Sequence, residues 1–303
     1  MTPLHLKIPA TSANLGPGFD ALGLAMALYL HIHASESPDT RIEATGRNAD
    51  LVGSLEHNLI LDTYRDLAPT GPPLHLRIEN QIPLGMGCGS SAAALLAGVL
   101  LANHFSNLHL TPQEVCAEAC RREGHPDNVA AAFYGGLTVS AIQQGIVTTA
   151  TIAPPPWHLI LALPPASLAT EKARALLPPT YSRADTVQNI QATALLVSAF
   201  ALNRPDLLAA ATRDRIHQPY RSVSCPLLPL LAPLTGRYGV FSVTLSGAGP
   251  SVLLIVDPSK PAESIEAAIR SVGLDSRVEI LHTTMTRNIV ATASNPSPVT
   301  IES

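Results

Sequence analysis

The chain predicts an α+β fold in two domains, and three observations carry that expectation. Segments alternating apolar and polar with period two interleave with segments of helical periodicity in both halves. The length, 303 residues, suggests two hydrophobic cores at ~150 residues each. Near the middle, Pro154-Pro155-Pro156 interrupts the pattern. The boundary is expected there, giving domains at 1–155 and 156–303, the second ending in an irregular tail from about residue 285.

The first half opens on residues 4–8, where Leu4, Leu6 and Ile8 share one face and His5 and Lys7 the other. The same alternation marks strands at 28–34, 41–45, 74–80 and 137–142. Helices are expected at 58–67, 90–105 and 112–122. The last opens with Thr111-Pro112-Gln113-Glu114, a capping box with proline at the first helical position. In the second half a strand is expected from Trp157 to Leu163, helices at about 182–203 and 205–215, then strands at 240–245 and 252–256 around Ser246-Gly247-Ala248-Gly249-Pro250-Ser251.

Composition narrows the function. Lys and Arg number 19 against 23 Asp and Glu, so no basic stripe marks a nucleic-acid binder. The first residues lack the apolar core of a signal peptide, and the longest apolar run is too short to cross a bilayer. A soluble, cytoplasmic protein is expected. The cysteines, Cys88, Cys116, Cys120 and Cys225, fit neither a zinc site nor a CxxC redox pair and are expected to be buried. His31 and His33 share a strand face without a third ligand, as solvated histidines do.

The most telling run is 83–94. Three alternating glycines and two serines feed directly into an Ala/Leu-rich helix. Glycine permits positive φ and close approach of backbone to ligand, while a helix beginning near Ser90 aims its unpaired N–H groups and positive dipole end into the loop. The expected guest is a polyphosphate, cradled by Pro83, Leu84, Gly85, Met86, Gly87, Cys88, Gly89, Ser90, Ser91, Ala92 and Ala93. Serine hydroxyls add phosphate contacts or a hard oxygen for magnesium. No Gly-Lys-Ser/Thr follows, so this is not a Walker A loop. The dinucleotide fingerprint is also absent, because position 92 is alanine and the chain stays apolar through Ala102.

Two further clusters are rich in carboxylates and amides. Pro9-Ala10-Thr11-Ser12-Ala13-Asn14-Leu15-Gly16-Pro17-Gly18-Phe19-Asp20 reads as a loop after the first strand, and Glu123-Gly124-His125-Pro126-Asp127-Asn128 packs two carboxylates, an imidazole and an amide together. With the loops at 83–94 and 246–251 they resemble the GHMP kinases, and their wording resembles the homoserine kinase family from about Leu4 to His282. The resemblance implies a ribosomal-S5-domain-2-like N-terminal domain, a ferredoxin-like C-terminal domain and ATP-dependent phosphorylation of the side-chain hydroxyl of L-homoserine, a step toward threonine.

It also implies roles for particular residues. ATP phosphates fall on Gly85 to Ser91, magnesium between Ser91 and Glu123 with Ser90 as competitor, and adenine near Asn58. A zwitterionic acceptor needs guanidinium for its carboxylate, which Arg174 and Arg221 supply, with Arg213 and Arg215 rivals for the second assignment. Asp20 takes the ammonium beside Asn14, and Asn128 orients the hydroxyl. Ser91, Glu123, Asp20 and Asn128 form the catalytic set. The expected partners are L-homoserine and ATP, in a homodimer, without nucleic acid or membrane. Whether any residue acts as a base stays open, since a loose phosphoryl transition state does not require one and Asp127 equally suits a helix cap. Another small-alcohol kinase of the mevalonate type and a non-catalytic ATP and metabolite sensor are the alternatives. Cys88 where the family loop has leucine, Ala169 where it has serine, and the ending after Thr283 depart from the family pattern.

Overall fold

The computed structural model describes residues 1–167 and 170–287. Ala169 and the tail beyond 287 lie outside them. The element order is β1 (Leu4–Asn14), β2 (Gly18–Glu36), β3 (Arg41–Gly46), α1 (Ala49–Val52), α2 (Leu59–Leu67), β4 (Leu74–Asn80), α3 (Ser90–Phe105), α4 (Pro112–Glu123), α5 (Asp127–Tyr134), β5 (Leu137–Gln143), β6 (Ile146–Ile152), β7 (His158–Leu163), α6 (Thr170–Ala175), α7 (Arg183–Ala201), α8 (Leu208–Ala211), α9 (Gln218–Arg221), α10 (Leu227–Leu231), β8 (Val240–Leu245), β9 (Val252–Val256), α11 (Ala262–Ser271) and β10 (Glu279–Thr284).

Six strands form the first sheet, in the order β3-β4-β2-β5-β6 with β1 also paired to β2. Only β3 and β4 run parallel. The second sheet is antiparallel in the order β10-β7-β9-β8, and with the helices between β7 and β8 and between β9 and β10 it has the ferredoxin-like βαββαβ arrangement. The α3 helix is buried along nearly its whole length, which is why its sequence is apolar on every face. It packs beside α2, α4 and α5 as the spine of the first domain.

Several expectations are corrected. Residues 9–14 are strand, not loop. β1 continues past a register shift at Pro9/Ala10, and the turn is confined to Leu15–Pro17, where Gly16 has φ 88° and a Cβ would meet the Thr212 carbonyl oxygen at 2.6 Å. The helix expected at 205–215 is a 3₁₀ turn at Pro205–Leu207 followed by α8, which stops at Ala211; beyond it the Arg215 N–H goes to Asn189 Oδ1 and not to a helical carbonyl. Of the tail expected to be irregular from about 285, only residues 285–287 are described. Met285 bridges Met26, Thr286 N–H donates to the Ala25 carbonyl and Gly136 N–H to the Thr286 carbonyl, so the strand leaving the second sheet returns to the first. The capping box on α4 is present as expected, and all four cysteines are free and buried.

Candidate active site

Three loops meet where the domains face each other. In the glycine loop Gly85, Gly87 and Gly89 have φ of 68°, 72° and 71°, the left-handed conformation glycine tolerates. Space demands glycine as well: a Cβ on Gly87 would lie 2.1 Å from the Ser246 carbonyl oxygen, and one on Gly89 1.9 Å from Thr11 Oγ1. Cross-links lock the loops together. Ser246 Oγ donates to the Gly87 carbonyl (2.7 Å), Gly247 N–H to Ala13 (3.2 Å) and Thr11 N–H to Cys88 (3.1 Å).

The N-terminus of α3 separates two cavities. One, of about 220 Å³, includes the charged and amide side chains of Asn14, Asp20, Glu123, Asn128, Arg174 and Arg221 in its wall. The other is mainly apolar, with Leu30, Val52, Leu59, Ile82 and Leu84 in its wall beside Asn58. Ser90 and Ser91 line both. The helix geometry leaves the Ser90, Ser91 and Ala92 N–H groups without intrahelical partners, so a polyanion crossing from one cavity to the other passes the positive end of the dipole.

Each expected residue can now be placed. Gly85, Gly87, Cys88, Gly89, Ser90 and Ser91 line the charged cavity and Leu84 the apolar one. Pro83, Met86, Ala92 and Ala93 line neither. The two alanine side chains are fully buried in the core, and the Ala93 N–H is spent on the Gly89 carbonyl. Asn58 borders the apolar cavity, but its amide is committed: Oδ1 accepts from Ile60 and Leu61 N–H, and Nδ2 donates to the Val52 and Ser54 carbonyls. It shapes the cavity wall as the cap of α2. Asn14 is equally committed, accepting from Asp20 N–H (3.0 Å) and donating to the Gly247 carbonyl (2.9 Å), and so places Asp20.

Ser91 Oγ donates to Glu123 Oε2 at 2.9 Å. Burial raises the Glu123 carboxyl above its ordinary value, against the His125 charge and the Ser91 bond. Burial works to lower His125, but its Nδ1 bond to Asp127 Oδ1 (2.8 Å) and the Asp127, Glu123 and Asp20 charges outweigh it and raise its pKa. Asp127 Oδ1 also accepts from the Asn128 backbone, while Thr11 Oγ1 donates to Asn128 Oδ1 at 2.7 Å. Arg174 grips Asp20 through two bonds, 2.8 and 3.0 Å, which raise its own pKa. Arg221 is almost wholly buried, and burial, then the Arg174 charge, lowers its pKa. Phe19 lies beneath both guanidinium groups, 5.3 Å from Arg174 and 5.4 Å from Arg221. Arg213 and Arg215 are exposed and outside the cavity wall that includes Arg221. His31 and His33 face outward beside His5, and no group of three metal-ligating side chains occurs among the described residues.

Sequence reasoning passed over Thr11, Phe19 and His217. The first two stand inside the 9–20 run, where only the carboxylate and amide drew notice. His217 carries no local signal beyond its place in Asp-Arg-Ile-His-Gln.

A glycine-lined helix terminus between an apolar and a charged cavity, on this pair of sheets, defines a GHMP kinase. The family models for the GHMP kinase N-terminal and C-terminal domains match residues 58–136 and 196–275. A homoserine kinase of Solibacter usitatus is 46% identical over 263 residues, 84% of this chain and 85% of its own. The chain belongs to the homoserine kinase family. Among solved structures, homoserine kinase from Cytophaga hutchinsonii superposes with a TM-score of 0.80 at 22% identity over 97% of this chain and 98% of that one. Mevalonate kinase of L. major in complex with R-mevalonate gives 0.73 at 16% over 94% and 96%. The fold is therefore common to both kinds of kinase, and sequence separates them.

Proposed function

We propose that the protein transfers the γ-phosphoryl group of ATP to the side-chain hydroxyl of L-homoserine, giving O-phospho-L-homoserine and ADP, a step in threonine biosynthesis. The observation that carries this reading is the shared wall. Ser90 and Ser91 border both the apolar cavity, suited to a nucleobase, and the charged cavity, suited to a zwitterion, so the γ-phosphoryl lies at the junction.

Ser91 Oγ and Glu123 Oε2 are adjacent hard oxygen donors of the kind Mg²⁺ takes, and they would hold the ion beside the phosphates. Bound there, the ion neutralises charge developing on the phosphates. The chain's own residues do the rest. Arg221 and Arg174 hold the acceptor carboxylate and Asp20 its ammonium, which fixes the amino acid at one end. Asn128, its carbonyl oxygen held by Thr11, meets the hydroxyl at the other. The N–H groups of α3 bind the phosphoryl oxygens as the P–O bond to ADP breaks and the bond to the acceptor oxygen forms. In a loose transition state the hydroxyl proton leaves late, passing to a phosphoryl oxygen and then to water, and a strong base is not needed. Asp127, whose Oδ1 already takes bonds from His125 and Asn128, serves that local structure.

A mevalonate-type acceptor has no ammonium to match Asp20, and a sensor has no use for the Ser91–Glu123 pair. The four free thiols accord with a cytoplasmic location. Among the described residues, no helix is long and apolar enough to cross a membrane. Coupled ADP release measured with homoserine, mevalonate, galactose and threonine tests the reading. Turnover with homoserine well above the other three is expected, and comparable or greater turnover with mevalonate overturns it.

A further inference from the structure

Residues 214–221 carry a buried hydrogen-bond chain that phosphoryl transfer as described does not use. The Asp214 carboxylate accepts backbone N–H from Ile216 (2.8 Å), His217 (3.0 Å) and Gln218 (2.5 Å), which fixes the turn opening α9 and the backbone of His217. His217 is wholly buried. Its Nε2 lies 2.8 Å from the Gly16 carbonyl oxygen, which only accepts, so Nε2 bears the proton. Nδ1 is left with a lone pair 3.2 Å from Nη1 of Arg221, which only donates. The two contacts together specify one neutral tautomer. Arg221 is further held by the Ala173 carbonyl at Nε (3.2 Å) and the Gly247 carbonyl at Nη1 (3.4 Å).

We propose that neutral His217 is a positioning residue for the acceptor's carboxylate. It clamps Arg221 of the second domain to the Gly16 turn of the first, the turn that leads into Asp20. The clamp rests on the proposed homoserine reading. It joins the carboxylate-holding and ammonium-holding halves of the acceptor site through one side chain, and that side chain works only while uncharged.

The charged and titratable groups around His217 support the neutral form. Burial lowers its pKa below the ordinary 6.5; Asp214 on its own turn opposes this, Arg221 adds to it, and the Gly16 carbonyl and Asp20 from the first domain oppose it. Tyr181 and Cys225, both raised by burial, stay neutral between pH 5 and 8, and Arg174 stays charged. As pH falls through the lowered His217 value, Nδ1 gains a proton and presents a donor to a donor, cation against cation. Arg221 is displaced and homoserine binding weakens, while homoserine's own carboxylate remains ionised. His125, held above its ordinary value, changes charge at higher pH.

Steady-state kinetics of the full chain from pH 5 to 8 test this with wild type, His217→Ala and His217→Asn. In wild type the homoserine KM rises several-fold as pH falls through the lowered His217 value, on the acid side of the ordinary imidazole range, while the ATP KM stays flat. His217→Ala raises the homoserine KM about 10-fold at pH 7.5, with kcat at saturating homoserine and the ATP KM little changed. His217→Asn, whose Oδ1 replaces the Nδ1 acceptor, recovers most of that loss and abolishes the acid rise. An acid rise that persists in His217→Asn, or equal losses for both substrates, overturns the proposal. If His217→Ala fails to fold, the wild-type and Asn profiles decide alone. Homoserine turnover with an unmoved KM overturns only the clamp; absence of homoserine turnover by wild type overturns the functional reading and the clamp with it.

Discussion

Asp20→Asn separates an ammonium anchor from a catalytic base, and the structure sets the sign of the result for two acceptors. In the protein Asp20 is gripped at both carboxylate oxygens by Arg174. The pair is 34% and 43% exposed, so the ion pair itself contributes only about 0–1 kcal/mol. A charge-assisted contact to the substrate's ammonium contributes about 1.5–3 kcal/mol, so its loss lowers kcat/KM for homoserine about 10- to 150-fold. For 4-hydroxybutyrate, which has the carboxylate and hydroxyl but no amine, only the ion pair is lost. Arg174 then no longer shares its guanidinium between Asp20 and the acceptor carboxylate, and kcat/KM holds or rises by up to about 5-fold. A base would instead slow both acceptors by about 10²- to 10⁴-fold. Coupled ADP release gives four values of kcat/KM from two proteins and two acceptors. Equal proportional losses for both acceptors, in a variant shown folded by circular dichroism, refute the anchor.

Two further substitutions probe the phosphate side. Ser91→Ala and Glu123→Gln are each expected to cut turnover at least about 10-fold with folding intact. Because burial raises the Glu123 carboxyl above 4.5, wild-type turnover falls as pH drops through that raised value, and Glu123→Gln loses this limb. Wild-type turnover by either folded variant at saturating magnesium and ATP refutes the assignment. Asn58→Ala removes a helix cap with four hydrogen bonds, so stability falls by about 1 kcal/mol and the thermal midpoint by about 2 °C, with a raised ATP KM; an unchanged midpoint refutes the capping role.

What the sequence disclosed was what its chemistry makes local. The α3 helix runs from Ser90 to Phe105 as expected, because glycines end abruptly where an unbroken apolar stretch starts. Glu123 and Asn128 stand in one short run, and α4 with the turn after it carries both to the cavity. Long-range contacts were hidden. Nothing between Pro9 and Asn14 looks like a strand, since its small polar residues are buried only because β2 and the second domain cover them. Strand β6 is rich in the β-branched residues that strands favour, and α11 sets Ile265 and Ile269 one helical turn apart, so both carry a local signal, whereas β10 depends on its pairing with β7. Asn58 and Asn14 show a further limit. Both were expected at ligands, and a sequence does not reveal that an amide's donors and acceptor are already engaged.

The return of Met285 and Thr286 to the first sheet means the two domains are stitched at both ends of the second one, through the proline linker and again beside Met26 and Ala25. A door on a single pin swings freely; one pinned at two points turns about the line between them. Two crossings leave the domains less freedom to turn against each other than one would. Severing the linker would not set the halves loose either, since the second half still carries a short arm whose backbone bonds fill the stretch of β2 between its pairings with β5 and β4. The first domain is, in this sense, finished by a piece of chain that belongs to the second.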